Sequence, residues 1–221
     1  MGASIDLRLN AIVDPERAGG HALAELARRV AEGGATLVQL RNKRDETRAM
    51  VEMARAIKAV LEPLGVPFVV NDRVDVVLAA GADGVHLGPD DMTARDARRL
   101  LGPDAIIGLS IKTVEEAKTA PLELIDYAGI GGIYATLSKA QKSPPIGPEG
   151  FARIAAELRR RKPALPLCGI AGIDASNAGA VIAAGADGVA VISALSLAPD
   201  PAAAARALCD IVDGMLAKRG T

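Results

Sequence analysis

The sequence contains no tryptophan, and aromatic residues make up only 2% of its 221 positions. A core built around large rings is therefore excluded. Half of the residues are hydrophobic, so the interior must consist mainly of alanine, valine, leucine and isoleucine. Side chains of this size favour helices packed closely on strands, and the chain is long enough for one large domain of that kind.

A strong charge of either sign is also missing, since the net charge at pH 7 is −1. This balance argues against general binding to nucleic acid or to an anionic membrane. The opening residues, MGASIDLRLN, lack a basic stretch followed by an apolar run, so we expect no signal peptide. Residues 178–198 are apolar enough to suggest a membrane span, but Asp187 and its glycine neighbours indicate helix, turn and strand instead.

Cysteine is scarce too, with Cys168 and Cys209 as the two thiols. Neither belongs to a CxxC pair or has histidines at ligand spacing, which argues against a zinc site. The spacing favours two reduced thiols in a cytoplasmic protein.

What the sequence does contain is a series of short apolar runs separated by segments with helical spacing. Most of the runs are continuously apolar, as in strands buried on both faces of a parallel sheet. The runs predict eight strands: Leu7–Val13, Thr36–Leu40, Pro67–Val70, Gly84–Leu87, Ala105–Leu109, Leu124–Ala128, Leu165–Cys168 and Gly188–Ile192.

One heptapeptide, AAGADGV, occurs at residues 79–85 and again at 183–189, and EGGATLV at 32–38 is a related version. Each copy reads as the end of a helix, a turn and the start of a strand. A repeat at about half of the chain length fits a barrel made of two similar halves. We therefore predict a single α/β domain over residues 1–221, a (β/α)8 TIM barrel. A doubly wound sheet is the alternative, although the GxGxxG typical of its first turn is absent.

Carboxylates follow two neighbouring predicted strands. Asn71 and Asp72 come after the third strand, Asp90 and Asp91 come shortly after the fourth, and a helix-sized segment separates them. Strand, helix and strand within so few residues form a parallel βαβ unit, so both acidic ends lie on one edge of the sheet. Ligands bind at this edge in α/β proteins, and Mg²⁺ is usually held by one or two carboxylates plus substrate phosphates. The spacing predicts a magnesium site formed by Asp72 and Asp91.

Cations, hydroxyl groups and glycines follow the other predicted strands. Together they suit a phosphate or pyrophosphate ligand. The glycines and the serine after strands 7 and 8 lie where barrels commonly bind phosphate through backbone N–H groups. The set consists of Gln39, Arg41, Lys43, Ser110, Thr136, Ser138, Lys139, Gly169, Gly172 and Ser193.

Each of these residues has a simpler interpretation. Arg41 and Lys43 could be a solvated pair at a helix start, Asp72 could cap the following helix, and Gly172 could serve only a turn. His86 lies inside the fourth strand, where an interior histidine with satisfied hydrogen bonds is favoured over a catalytic one. Independent surface residues should not all select the same sheet edge, which favours a functional site over these simpler interpretations.

At this point the motifs resemble those of the thiamine-phosphate synthase family, in order and over nearly the whole chain. The block after strand 3 and the TxSK loop are the specific parts, since GADGV pieces occur in many barrels. The matching stretches are VQLRNK at 38–43, VVNDRVDVVLAAGADGVHLGPDDM at 69–92, GLS at 108–110, GIGGIYATLSK at 129–139, PPIG at 144–147, GIAGI at 169–173 and AGADGVAVISA at 184–194.

The resemblance implies a TIM-barrel transferase of thiamine biosynthesis with Mg²⁺ as its cofactor. Such an enzyme joins 4-amino-5-hydroxymethyl-2-methylpyrimidine diphosphate to hydroxyethylthiazole phosphate and releases pyrophosphate. The family mechanism is dissociative: pyrophosphate leaves first, and the thiazole nitrogen then attacks a transient pyrimidine carbocation. This agrees with a sequence that shows no activated serine, cysteine or histidine nucleophile.

The resemblance also implies a role for individual residues. Asp72 and Asp91 would ligate Mg²⁺, and Arg41, Lys43, Ser110 and Lys139 would act in catalysis. The pyrimidine diphosphate would contact Gln39, Leu40, Arg41, Asn42, Lys43, Asn71 and Ser110. The thiazole phosphate would contact Thr136, Leu137, Ser138, Gly172, Ile192 and Ser193, and Lys139 would contact the pyrophosphate.

The chain departs from the family pattern at Asn42, Pro89, Ser138 and Ala171, where Glu, Gln, Thr and Gly are usual. None of these changes removes a metal carboxylate or a core cation. Two alternatives remain open, a thiazole tautomerase of the same superfamily and a non-catalytic phosphate sensor. The tautomerase is associated with a histidine where this chain has Lys112.

The long stretch between the sixth strand and the following helix, Tyr134 to Pro148, has no regular pattern. Loops of this length are usually functional or disordered. We expect Thr136–Lys142 to form a lid over the substrates, although its lysines could simply lie on a flexible loop. Small-molecule substrates are the expected partners, with a possible homo-oligomer.

Overall fold

The computed structural model describes residues 5–136, 138 and 143–219, and they form a closed barrel of eight parallel strands. Each strand pairs with the next along the chain, and the last pairs with the first. The TIM barrel predicted from the apolar runs is therefore confirmed. The strands are β1 Leu9–Val13, β2 Leu37–Leu40, β3 Phe68–Asn71, β4 Gly84–Leu87, β5 Ile106–Ile111, β6 Tyr127–Gly131, β7 Leu167–Ile170 and β8 Gly188–Val191.

Helices surround the barrel and connect successive strands. They are α1 Leu23–Glu32, α2 Thr47–Leu61, α3 Val74–Ala80, α4 Ala94–Leu101, α5 Val114–Thr119, α6 Gly147–Arg161, α7 Ala178–Ala183, α8 Ser193–Ser196 and α9 Pro201–Arg219, with 3₁₀ turns at Pro15–Arg17 and Glu62–Leu64. In the part of the chain that is described, no helix is both long and apolar enough to cross a membrane.

Two apolar layers hold the strands. Outward-facing residues such as Val38, Leu40 and Val70 are buried against the helices. Inward-facing residues such as Leu37, Val69 and Tyr127 fill the barrel interior. Every residue of β2 and β4 is buried, so these strands do not alternate between buried and exposed positions.

The acidic residue of the AAGADGV repeat joins paired strands at the N-terminal end of the barrel. Asp83 accepts the backbone N–H of Phe68 at 2.8 Å, and Asp187 accepts that of Leu167 at 2.9 Å. Asp126 accepts the N–H of Ile107 at 2.8 Å. At the related EGGATLV, the Thr36 hydroxyl accepts the N–H of Leu9 at 3.1 Å. The repeat therefore stabilises the end of the barrel opposite to the predicted site.

Glycine follows the aspartate in both copies because neighbouring backbone lies too close for a side chain. A Cβ on Gly84 would lie 1.9 Å from the carbonyl oxygen of Ile106, and one on Gly188 would lie 1.7 Å from that of Leu7. Any larger residue would push adjacent strands apart.

Candidate active site

A cavity of about 450 Å³ lies at the C-terminal end of the strands. All eight strands or the loops that follow them contribute to its wall. Twelve of the residues predicted as site residues line it: Gln39, Arg41, Lys43, Asn71, Asp72, Asp91, Ser110, Thr136, Ser138, Gly172, Ile192 and Ser193. The cavity therefore brings most of the inventory of strand ends together at one place. Gly169 does not line it, and a Cβ there would lie 2.4 Å from the side chain of Val181 in α7.

Asp72 lines the cavity instead of capping the helix that follows it. The N-cap position of α3 is Arg73, which makes no side-chain capping bond. Asp72 has a positive φ of 66°, and its backbone N–H donates to the carbonyl oxygen of His86 at 2.8 Å. Its carboxylate pairs with Lys43 and hydrogen-bonds to Asp91. The capping interpretation of Asp72 is therefore wrong.

Asp91 is held from the other side of the acidic pair. Its Oδ2 accepts the backbone N–H of Gly88 at 2.7 Å. A Cβ on Gly88 would lie 2.9 Å from this oxygen, so the glycine leaves room for the bond. The two neighbouring strands β3 and β4 thus fix one carboxylate each.

The two carboxylates perturb each other's pKa. Burial raises the pKa of Asp72 and its bond with Asp91 raises it further, whereas Lys43 acts in the opposite direction. Burial also acts to raise the pKa of Asp91, but the bonds with Asp72 and the Gly88 N–H, together with Lys43, outweigh it and lower the pKa. Two neighbouring carboxylates repel each other when both are charged, and here the two pKa values are moved in opposite directions.

This arrangement fits a divalent cation bound together with its substrate. Within the described ranges, no cluster of three or more histidine, cysteine or acidic residues could hold a metal alone. Two carboxylates are the protein ligands that Mg²⁺ commonly has when substrate phosphates and water supply the rest. A cation would also relieve the repulsion between the carboxylates of Asp72 and Asp91.

Two cations stand beside the acidic pair, and they differ in burial. Lys43 pairs with Asp72 but its side chain is 42% exposed. Arg41 is 15% exposed and pairs through Nη1 with Asp14, whose side chain is 1% exposed. Asp14 also accepts the backbone N–H of Glu16 at 2.9 Å. The buried carboxylate therefore holds the guanidinium from behind. Sequence reasoning missed Asp14, although it directly follows β1 at the same edge of the barrel.

Ser110 reaches the cavity from β5 and bonds to a histidine beneath it. Its Oγ lies 2.9 Å from Nε2 of His86, and Nδ1 of His86 lies 2.9 Å from the hydroxyl of Tyr127. His86 is 7% exposed and lines the cavity. It is an interior histidine with satisfied bonds, as predicted, but it also contacts a predicted site residue.

The loops after β6, β7 and β8 form the opposite wall. The Thr136 hydroxyl accepts the backbone N–H of Ser138 at 3.1 Å. Gly172 has a positive φ of 66°, and a Cβ there would lie 2.4 Å from the carbonyl oxygen of Ala135. Gly172 thus allows the loops after β6 and β7 to approach closely, in addition to lining the cavity. Ser193 is the first residue of α8.

Two predicted residues do not reach the cavity with their side chains. Leu40 is fully buried in the apolar layer under the helices. Asn42 bonds to the carboxylate of Asp45 at 2.7 Å and accepts backbone N–H groups of the same loop. The reason is the alternation of an extended chain, in which Gln39, Arg41 and Lys43 face inward and the residues between them face outward.

Leu137 and Lys139 lie outside the described residues, as does most of the expected lid. One further cation was not among the predicted site residues. Lys112 lines the cavity after β5, and its backbone N–H donates to Glu116 at 2.6 Å. Its position one residue beyond the strand could have indicated this.

Comparison with known proteins identifies the family of the chain. The sequence model of the family described as thiamine monophosphate synthase matches residues 9–195. The chain is 50% identical over 215 residues to a thiamine-phosphate synthase of Agrobacterium fabrum, which covers 97% of this chain and 98% of the relative. It is 46% identical over 204 residues to one of Moorella thermoacetica, with 92% and 95% covered.

A solved structure shares the fold and much of the sequence. Thiamine phosphate pyrophosphorylase from Pyrococcus furiosus superposes with a TM-score of 0.84 at 37% identity, covering 96% of this chain and 98% of that one. Family match, full-length relatives and superposition all agree, and the chain belongs to the thiamine monophosphate synthase family.

Proposed function

We propose that this cavity joins 4-amino-5-hydroxymethyl-2-methylpyrimidine diphosphate to hydroxyethylthiazole phosphate, giving thiamine phosphate and pyrophosphate. The observation that carries the proposal is the contact between Asp72 and Asp91 beside Lys43 in a cavity that Arg41 also lines. Paired carboxylates with adjacent cations suit a substrate whose diphosphate must be held and then released.

On this proposal Mg²⁺ is the cofactor, held by Asp72 and Asp91 together with oxygens of the diphosphate. When bound, it supplies positive charge that disperses the negative charge of the leaving pyrophosphate. Arg41 and Lys43 face the same group from β2. Lys139 is assigned to the pyrophosphate from the family resemblance alone.

The remaining residues divide between the two substrates. Gln39, Asn71 and Ser110 lie on the side of β2, β3 and β5 and are assigned to the pyrimidine. Gly172 and Ser193 lie on the side of β7 and β8 and are assigned to the thiazole phosphate, with Thr136, Ser138 and Ile192 beside them. A cavity of about 450 Å³ falls within the usual range for small-molecule sites.

The reaction requires the protein mainly to position the two substrates and to stabilise charge. The aminopyrimidine stabilises the carbocation that forms as pyrophosphate leaves, and the thiazole nitrogen donates the electron pair for the new bond. His86 and Gln39 are buried at the floor and Ser110 is partly buried, which limits the access of water to that carbon. The protein therefore acts by orientation and electrostatic stabilisation.

A turnover assay tests the proposal. Purified protein is incubated with both substrates and Mg²⁺, and thiamine phosphate and pyrophosphate are quantified by chromatography. Formation of both in equal amounts supports the proposal. Isomerisation of a thiazole alone would assign the tautomerase reaction, and binding without any product would assign a sensor.

The cellular location, oligomeric state and partners of the enzyme are also predictions. We infer a cytoplasmic location and a possible homo-oligomer, with small molecules rather than nucleic acid or membrane as partners. Cys168 is buried and Cys209 partly buried, both as free thiols, as a reducing compartment would keep them. Sedimentation analysis of the purified chain would settle the oligomeric state.

A further inference from the structure

A chain of hydrogen bonds runs from the barrel interior to the cavity floor. The hydroxyl of Tyr127, which interacts with the side chain of Gln39, lies 2.9 Å from Nδ1 of His86. Nε2 of His86 lies 2.9 Å from Oγ of Ser110. Tyr127 is completely buried, and Gln39 and His86 are nearly so. Gln39 and Ser110 are assigned to the pyrimidine from the family motif, whereas Tyr127 and His86 between them have no assigned role.

The barrel leaves space for these two rings by having glycine opposite them. A Cβ on Gly108 would lie 2.1 Å from Cζ of Tyr127, and one on Gly129 would lie 3.2 Å from Cε1 of His86. The ring centroids of His86 and Tyr127 are 5.4 Å apart. Packing on this scale holds both rings in one orientation, so the hydrogen-bond chain is fixed before substrate arrives.

The direction of the chain follows from its buried end. Burial raises the pKa of Tyr127 well above the ordinary 10.0, so the hydroxyl keeps its hydrogen. Because the group is completely buried, that hydrogen needs an acceptor, and Nδ1 of His86 lies 2.9 Å away.

The same logic continues through the imidazole. A neutral histidine carries one donor and one acceptor nitrogen. With Nδ1 accepting from Tyr127, Nε2 carries the hydrogen and donates it to Oγ of Ser110. The hydroxyl hydrogen of Ser110 then has no acceptor in His86 and is directed into the cavity.

We propose that His86 and Tyr127 are positioning residues that make Ser110 a hydrogen-bond donor toward a ring nitrogen of the aminopyrimidine. The inference rests on the proposed function, because it names the pyrimidine as the ligand above Ser110. A ring nitrogen accepts hydrogen bonds, whereas the neighbouring amino group donates them. Because Ser110 donates its hydrogen, it favours the orientation in which a ring nitrogen of the pyrimidine faces Ser110. In that orientation the methylene carbon lies toward Lys43 and the acidic pair.

The first test reads the tautomer of His86 without any substrate. The chain has two histidines, so long-range ¹H–¹⁵N correlation spectra of the labelled protein and of a His21→Gln variant assign both rings. We expect the Nε2-protonated tautomer for His86, and loss of that tautomer's dominance in Tyr127→Phe. Tyr134→Phe removes the other tyrosine hydroxyl and should leave the spectrum of His86 unchanged. An Nδ1-protonated or doubly protonated ring in the unmodified protein would overturn the proposal.

The second test measures steady-state kinetics with both substrates. Tyr127→Phe should raise the KM for the pyrimidine diphosphate about tenfold, the value of one hydrogen bond, and leave the KM for the thiazole phosphate unchanged. In a Ser110→Ala background the same substitution should have no further effect. An equal effect in both backgrounds would show that Tyr127 does not act through Ser110 and would contradict the proposal.

A pair of His86 variants covers the case in which Tyr127→Phe fails to fold. The amide of His86→Gln can still donate to Ser110 and should keep the KM for the pyrimidine diphosphate within about threefold, whereas His86→Leu should raise it about tenfold. Equal values for both variants would contradict the proposal. If the enzyme turned over neither substrate, the proposed function would fail while the tautomer spectrum still reported on the hydrogen-bond chain.

Discussion

Two non-glycine residues in the described part of the chain have positive φ, Asp72 at 66° and Ala171 at 86°. Both line the cavity. The left-handed region costs an ordinary L-residue about 1–2 kcal/mol, although aspartate tolerates it better than most. At Asp72, the residue with this strained backbone conformation is also the one whose carboxylate contacts Asp91. Ala171 stands where the family pattern has glycine, and no polar group of its side chain offsets the strain.

Replacing Ala171 by glycine should therefore stabilise the protein. We expect the free energy of unfolding to rise by up to about 1 kcal/mol, because relief of the left-handed strain exceeds the added freedom of the unfolded chain. Urea denaturation measures the change. Ala18→Gly is the matched control, since Ala18 has φ −74° and should lose stability. A lower denaturation midpoint for Ala171→Gly would contradict the strain argument.

Asp14 is the residue that orients Arg41. Asp14→Asn keeps an acceptor for the Glu16 N–H but loses the charged bond to the guanidinium. We expect the KM for the pyrimidine diphosphate to rise about tenfold or more, since hydrogen bonds to charged groups contribute about 1.5–3 kcal/mol. The KM for the thiazole phosphate should stay the same.

The control for this prediction is the Arg41→Lys background. There Asp14→Asn should add little, because the bidentate fork that Asp14 orients is already absent. If the two substitutions instead multiplied their effects on KM, Asp14 would act on the cavity by a route other than Arg41.

Many of the site residues could be predicted because charged and polar side chains follow the predicted strands at one edge of the sheet. Their assignment to individual substrates came from the order of the family motifs. Leu40 and Asn42 show the limit of a contiguous motif, since the alternation of β2 turns their side chains away from the cavity. Asp14 was missed for another reason. A single aspartate after an apolar strand has no distinctive spacing, and its role depends on a partner that is distant in sequence.

At the scale of elements, the repeat and the site occupy opposite ends of the barrel. Asp83, Asp126 and Asp187 precede β4, β6 and β8 and each accept an N–H from the strand before. Each also receives a cation from a helix: Lys58 from α2, Arg98 from α4 and Arg159 from α6. Thr36 fills the equivalent place before β2 without a charge. Four pairs of strands are thus tied in the same manner.

Asp187→Ala should remove one of these ties. It leaves the Leu167 N–H without its acceptor and removes the carboxylate that pairs with Arg159 and Arg219, so the free energy of unfolding should fall by about 1–3 kcal/mol. Glu115→Ala, which breaks the exposed pair with Lys118, should change it by less than about 0.5 kcal/mol. Urea denaturation compares the two, and equal losses would mean that the repeat contributes no more than a surface charge pair.

Strand number and order were predictable because each strand is short, apolar and followed by a helix. The first and last residues of the strands were less predictable. The sixth strand was predicted over Leu124–Ala128, but β6 runs over Tyr127–Gly131. The apolar residues Leu124 and Ile125 precede the Asp126 tie and pack outside the barrel, whereas two glycines continue the strand without any hydrophobic signal. Glycine at 129 leaves room for His86, a requirement that only the folded interior reveals.

On the scale of the whole molecule, the barrel is a frame that supports many chemistries, so function must be argued from its cavity. Here the frame divides the work: β2, β3 and β4 carry the charged groups, β5 and β6 carry the polar floor, and the loops after β7 and β8 complete the wall. The hydrogen-bond chain through Tyr127 links the packed interior to that cavity. This division could not be read from any one motif, because it depends on closure of β8 against β1.

The most direct test of the account is the dependence of turnover on Mg²⁺ in the unmodified enzyme and in Asp91→Asn. The initial rate of thiamine phosphate formation is measured over a series of Mg²⁺ concentrations, with EDTA as the zero point and urea denaturation as the check on folding. We predict a rate that rises to saturation with Mg²⁺, vanishes in EDTA, and falls about a hundredfold or more in the variant, since a hard ligand and its charge are lost. Full activity in EDTA, or an undiminished rate in folded Asp91→Asn, would contradict the central role of the acidic pair.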